Sequence, residues 1–427
     1  MTGKSLSRKL LSATLTLFLL FKIAFAQNAT NTQRVNGWSS DIDTMLTLMK
    51  TEHYVYKSKP LPSELLTKAA LLKTKIPEYS DERMLLELQR LMFYMHDGHS
   101  YILPVARHVN SMYMPLQFYI FNDGTYVIDA DEPYKDLIGR KIISINNVKT
   151  EKLVADMNSY IHHDNKYTVI WFAPSVLRFR GTYEPYGLAA GANEISIQLA
   201  DANNKIVSRN ISFIPATNFH SIPKLIPSQL ANGVPPPLYL SQVQNNFWFT
   251  TINPKTLYFQ FNQVEDKDTE TLAAFSAKLD NALKTQRPSL FIIDVRHNNG
   301  GNLDLLPPLM NAIKDFEKKN GASKIVVITG RNTFSAAQVF ISLMNRDTHA
   351  LFAGEPSSSS PNFVGEGNYI MLPYSGAMGS ISNKYHEQIP GDKRLWIQPD
   401  WPVTLSSAQY FKNEDPALDF ILKKRSD

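Results

Sequence analysis

The chain of 427 residues is long enough for two or three domains, and 43% hydrophobic residues are enough to fill their cores. It contains no cysteine, which excludes disulfides, thiolate catalysis and cysteine-based zinc sites. The formal charge of +5 sits largely at the N-terminus: without Lys4, Arg8, Lys9 and Lys22 it falls to +1, which leaves no basic stripe and argues against a nucleic-acid partner.

Those four cations belong to residues 1–26. A charged start precedes the apolar run from Leu10 to Phe21, and Ala24-Phe25-Ala26 has the form of a cleavage site. Lys22 interrupts the run, and what remains is short for a bilayer. The expectation is a cleaved signal peptide over 1–26, export to the periplasm or the exterior, and no stable membrane insertion afterwards. Asn28-Ala-Thr and Asn210-Ile-Ser match the glycosylation sequon. Residues 27–36 are polar and read as disordered.

From Trp38 to about Met95 apolar residues recur at helical spacing, most strongly in the stretch beginning at Asp81. This N-terminal region, 27–110, ends in His96-Asp97-Gly98-His99-Ser100-Tyr101, where a glycine leads into an apolar strand. Residues 111–215 read as a small β-rich domain of short strands separated by turn residues. Within it, the stretch from Leu137 to Asn147 resembles the core of a PDZ domain; Asn147 stands where that pattern has a glycine, and asparagine tolerates the same left-handed turn. Trp171 to Leu188 is aromatic-rich without clear period and suggests a groove lining. Residues 216–237, rich in proline, read as a linker. In 238–427 strands near Phe247, Leu257, Leu290 and Ile325 alternate with helices, the pattern of βα units around a parallel-rich sheet.

Two strand ends in this last domain carry chemistry. The buried-type strand from Leu290 to Ile293 runs into Asp294-Val295-Arg296 and then Asn298-Asn299-Gly300-Gly301; paired glycines let backbone N–H groups approach a ligand. The strand beginning at Lys324 is broken by Gly330, and Ser335 opens a helical pattern. A serine there fits either an N-cap or a nucleophile. A nucleophile beside backbone donors is what acyl transfer needs.

Together, Asp-x-Arg-x-Asn-x-Gly-Gly from Asp294 and the Thr-x-Ser-Ala-Ala at Thr333, followed by Gly354-Glu355-Pro356, Pro361–Gly367 and Ile397–Val403, resemble the C-terminal processing (tail-specific) protease family. The match is closest to its tricorn-like and retinoid-binding-protein-like branch, and it covers most of the chain after about residue 40. The resemblance implies an α/β, crotonase-like catalytic domain behind a helical segment and a PDZ-like domain, a peptide or protein substrate, and no cofactor or metal. It implies Ser335 as nucleophile, with the N–H of Ala336 and an N–H of Gly300 or Gly301 as oxyanion donors. The family's serine–lysine branch would place its lysine at Ser360, so that dyad is disfavoured. The tricorn-like branch takes its base from a His-x-Tyr context, which His99-Ser100-Tyr101 matches. The plain alternative for His99 is a core or capping histidine. His96 and His99 also invite a zinc reading, but no further ligand set accompanies them. To orient His99 the resemblance offers Asp400, and Glu366 in the loop expected to cross the nucleophile is a second candidate; helix capping or an ion pair is the alternative for each. The family's linking serine is replaced by Gly98. Asp294 and Arg296 are expected to brace the glycine loop. The functional expectation is an exported serine peptidase. Its rival is a non-catalytic module binding a hydrophobic ligand or peptide on the same fold; an esterase would use the same machinery.

Overall fold

The computed structural model of the chain describes residues 31–201, 203–218, 225–231 and 233–426. The expected signal peptide and Asn28 lie outside them. Among the described residues no helix is long and apolar enough to cross a membrane, and no cluster of three His, Asp or Glu side chains could hold a metal ion.

The first described element is a helix over 31–52, so residues 31–36 are ordered rather than disordered. Arg34 explains this: its guanidinium donates to Asp81 Oδ1 at 2.8 Å and to the Ile76 and Tyr79 carbonyls. The Trp38 indole, fully buried, donates to the same carboxylate at 2.8 Å. Two further helices follow, Ser63–Lys75 and Asp81–Met92, the latter capped by the Ser80 hydroxyl, which accepts from the Arg83 N–H. Their apolar faces (Met45, Leu65, Leu88, Leu91) share one core with Ile370, Leu372, Ala377 and Ile381 from the far end of the chain. That contact pulls a late hairpin onto the N-terminal helices. The strand Tyr101–Ala106 pairs with Ala377–Ile381, which pairs in turn with Asn368–Met371.

The β-rich segment forms an antiparallel sheet ordered Leu116–Phe121, Gly124–Ala130, Lys141–Ile145, Glu194–Ala200, Ile206–Ser212. Asn146 and Asn147 turn between strands with φ of 48° and 61°, the left-handed turn expected at Asn147. The aromatic stretch, read without a period, begins in a helix, Lys166–Val176, whose Trp171 and Phe172 line a cavity. The helix is buried around much of its circumference, so no amphipathic period marks it, and Asn165 caps it by accepting the Tyr167 N–H at 2.8 Å.

The second half is built on a six-stranded sheet ordered Phe247–Asn253, Thr256–Phe261, Leu290–Asp294, Lys324–Thr329, Leu351–Gly354, Trp401–Pro402. The first pair is antiparallel and the rest are parallel. Helices Leu272–Gln286, Leu306–Lys319 and Ala336–Asp347 cover one face, with Phe261, Phe291, Ile293 and Val327 beneath them. The chain is thus a mixed α/β protein of helices and several sheets. Its two chemistry-bearing loops leave the carboxyl ends of adjacent strands, the place where open α/β sheets present ligand sites.

Candidate active site

Ser335 sits at the start of the helix Ala336–Asp347 with φ 55° and ψ −124°, a backbone conformation that costs a non-glycine residue free energy. Its hydroxyl makes no capping hydrogen bond to that helix. An N-cap serine has an extended backbone and a bonded hydroxyl, so neither mark of a cap is present. The residue instead makes a strained strand-to-helix turn, partly exposed at the helix N-terminus.

The glycine pair lies directly against it. A Cβ added to Gly300 would come within 2.6 Å of Ser335 Cβ and 3.0 Å of the Ala336 nitrogen, and one added to Gly301 within 2.2 Å of the Val264 carbonyl oxygen. With φ of 112° and 132°, both positions demand glycine twice over. The Gly300 N–H already donates to Asn298 Oδ1 at 3.0 Å. Of the two expected donors, Gly301 is therefore the one free of that commitment. Asp294 and Arg296 brace the base of this loop: the Arg296 guanidinium spans Asp294 and Asp415 at 2.6 and 2.7 Å, and its backbone N–H donates to Asp294 Oδ1.

His99, far from Ser335 in sequence, packs on Phe334, the residue that precedes Ser335. The imidazole stacks on the Phe334 ring at 4.3 Å and 19° and on Phe363 at 5.1 Å and 8°. Both ring nitrogens are buried without a hydrogen-bond partner, so no bond to the Ser335 hydroxyl is made in the unliganded site. Burial, reinforced by the neighbouring His162 and His386 and opposed by Asp97, holds the imidazole down to about 4. At neutral pH it is therefore uncharged and able to accept a proton.

The structure does not bring either expected orienting carboxylate to the His99 ring. Asp400 is exposed and its Oδ2 accepts the Phe352 N–H at 2.8 Å, tying down the sheet edge where Ala353 pairs with Trp401. Glu366 is half-exposed, with φ 49°, and pairs with Lys384 at 2.9 Å and with His386 Nε2 at 3.4 Å. Phe363 stands between: it stacks on His99 and on His386, at 5.1 Å each.

Two other carboxylates flank His99 instead. Asp97 Oδ1 accepts the N–H groups of His99 and Ser100 at 2.7 and 2.5 Å and the Ser382 hydroxyl at 2.8 Å. Its Oδ2 meets His53 Nε2 at 2.9 Å in a fully buried pair. Burial alone would raise this carboxyl, but the hydrogen bonds and the histidine hold it below the usual range. Asp97 thus fixes the backbone that presents His99. Asp164 Oδ1 accepts the Gly98 N–H at 2.8 Å. The Asp164 Oδ2 and the Ser359 hydroxyl are buried with no well-formed bond, and Ser359 and Ser360 lie near enough to favour the ionised form. Burial, with Asp97 adding, still pushes Asp164 up to about 7.

Ser357 to Ser359, which precede the Ser360 position that the serine–lysine branch gives to its lysine, are buried and structural. The Asn165 amide donates to the Ser357 carbonyl at 3.2 Å and the Thr168 hydroxyl to the Ser358 carbonyl at 2.6 Å, so the strap is tied to the Lys166–Val176 helix. The Ser360 hydroxyl donates to the Leu395 carbonyl at 3.2 Å. Asp97 was visible in sequence as the residue opening the Asp-Gly-His turn; Asp164, in a His-His-Asp-Asn run between aromatic residues, carried no signal of its own.

A strained serine at a helix N-terminus, a glycine loop against it and a neutral histidine stacked on the preceding phenylalanine thus share one corner of the fold. No protein-family model matches the chain, and no curated protein matches it. Solved structures do match its fold. Mature CPAF in complex with lactacystin superposes with TM-score 0.65 over 92% of this chain and 98% of that one, at 12% identity. A CPAF mutant gives 0.62 over 89% and 95%, at 11% identity. A photosystem II D1 C-terminal processing protease aligns over 88% and 96% at 11% identity, with a TM-score of only 0.39. The likeness to CPAF, at such identities, establishes a shared fold.

Proposed function

We propose that the protein is an exported serine peptidase that cleaves peptide bonds through an acyl-enzyme on Ser335. The observation that carries this reading is the backbone of Ser335: a conformation held at a cost, with the hydroxyl released from capping and the residue packed so close to Gly300 that a Cβ there would come within 2.6 Å of Ser335 Cβ. In the reaction, the Ser335 oxygen attacks the peptide carbonyl while neutral His99 accepts its proton. The N–H groups of Ala336 and Gly301 receive the developing oxyanion. His99 then protonates the leaving amine, and water, deprotonated by His99, releases the acyl group. Asp97 holds the His99 backbone in place throughout.

The reading extends to the domain plan: a signal peptide over 1–26, the helical region 27–110, a PDZ-like domain over 111–215 that holds a peptide strand, the segment 216–237, and a crotonase-like catalytic domain over 238–427. A pure binding module has no use for a strained serine with two obligatory glycines beside it. The test is hydrolysis of a mixed peptide library by the wild-type protein and by Ser335→Ala. Cleavage by the first and none by the second is expected; equal turnover by both would move the nucleophile elsewhere.

A further inference from the structure

Next to His99 lies a partly open cavity of about 210 Å³. It is bounded by His99, Phe334 and Asn299 on the side of the nucleophile and the glycine loop, and by Tyr160, Trp171 and Phe172 among its apolar walls. No Lys, Arg, Asp or Glu lines it among the described residues. Its two histidines, His99 and His162, are both held down to about 4, first by burial, so its walls are uncharged at neutral pH. An apolar cavity of about 150 Å³ is known to take up benzene; this one is larger and lined by rings, which favour ring-shaped guests through offset and edge contacts.

One wall is polar. Gln89, on the helix Asp81–Met92, donates its amide to the Ile102 carbonyl at 3.0 Å, while its Oε1 is buried without a partner. Gln89, Pro104 and Val176 also bound a neighbouring void of about 10 Å³ that His99, Asn299 and Phe334 do not touch. They therefore separate the cavity from that void. An unsatisfied acceptor on a residue that lines an aromatic cavity is a costly feature unless a guest brings a donor to it.

We propose that this cavity is the primary specificity subsite, that it receives a large aromatic side chain from the residue whose carbonyl Ser335 attacks, and that it favours tyrosine, whose hydroxyl donates to Gln89 Oε1. The assignment to that residue follows from the lining: Phe334 adjoins the nucleophile and Asn299 adjoins the glycine loop, between which the attacked carbonyl must sit. The proposal rests on the peptidase reading for its cleavage arm, so the experiment separates the two. Cleavage sites from a mixed library are mapped by mass spectrometry for the wild type and for Gln89→Leu, and tyrosyl, phenylalanyl and alanyl peptides are titrated into Ser335→Ala by calorimetry. The expected result is cleavage after aromatic residues, with tyrosine about 3- to 10-fold over phenylalanine in kcat/KM. Gln89→Leu should bring that ratio to about 1. Cleavage after small or charged residues without aromatic enrichment overturns the subsite and leaves the peptidase reading standing. If nothing is cleaved but Ser335→Ala still binds the tyrosyl peptide over the alanyl one, the peptidase reading falls and the aromatic site survives; absence of both sinks both. An unchanged tyrosine preference in a folded Gln89→Leu overturns the role of Gln89.

Discussion

Replacing Asp164 by asparagine gives the sharpest physical test of how the site is assembled. The asparagine amide oxygen can still accept the Gly98 N–H, so the loop presenting His99 keeps its anchor. What changes is titration. Asp164 is pushed from the ordinary 3.8 up to about 7, first by burial and then by Asp97, with Ser359 and Ser360 opposing. A carboxyl raised in the folded state favours folding fully below its unfolded value, and that contribution is lost as pH rises through the folded one. At about 1.4 kcal/mol per pH unit, the loss amounts to about 4 kcal/mol between pH 3.8 and pH 8. Asparagine does not titrate, so the stability of Asp164→Asn relative to wild type should improve by about that much over the interval. His99 and His162, both held down to about 4, act in the opposite sense: their cost appears as pH falls below about 6.5. They are present in both proteins and cancel in the difference. Urea unfolding at pH 4.5, 6 and 8 measures it. A difference between variant and wild type that does not change with pH would mean that Asp164 is not a buried, proton-retaining acid, and the account of this corner would be wrong.

Other outcomes follow from the same geometry. Gly300→Ala puts a methyl group against Ser335 Cβ at a φ of 112°, so kcat should fall by a factor of at least about 10² in steady-state assays; near-normal turnover would dissociate the glycine loop from catalysis. For wild type, kcat/KM should rise with pH through an apparent value well below the usual histidine range, near the about 4 at which His99 is held, and then level off; a rise centred at pH 6.5 or above would show that His99 is not desolvated as described. His99→Ala should lose nearly as much activity as Ser335→Ala, and the double variant little more, because the two act as a unit. Chelators should leave hydrolysis unchanged, and loss with EDTA restored by zinc would revive a metal role for His96 and His99.

Sequence reasoning reached far where local pattern and tertiary role coincide. The βα alternation after Phe247 is legible because buried parallel strands are continuous apolar runs, and the glycine pair and Ser335 are legible because their backbone conformations allow few residues. It failed where long-range contacts decide. Nothing in the polar start of the chain announces that Arg34 reaches two carbonyls and a carboxylate of the segment 76–81. The Lys166–Val176 helix hides its period because it is packed on several sides. The choice of Asp400 or Glu366 followed motif position, whereas the carboxylates beside His99 are decided by packing: Asp97 by its own turn, Asp164 by a helix start that docks on the serine strap.

The central claim is that Ser335 is a nucleophile activated by this fold. It is tested most directly by treating the native protein with a fluorophosphonate, which reacts with activated serine hydroxyls, and mapping the adduct by peptide mass spectrometry. The account predicts a single stoichiometric adduct on Ser335, greatly slowed in His99→Ala and in Gly300→Ala. Labelling at another serine, or labelling of Ser335 at the same rate in both variants, would contradict it.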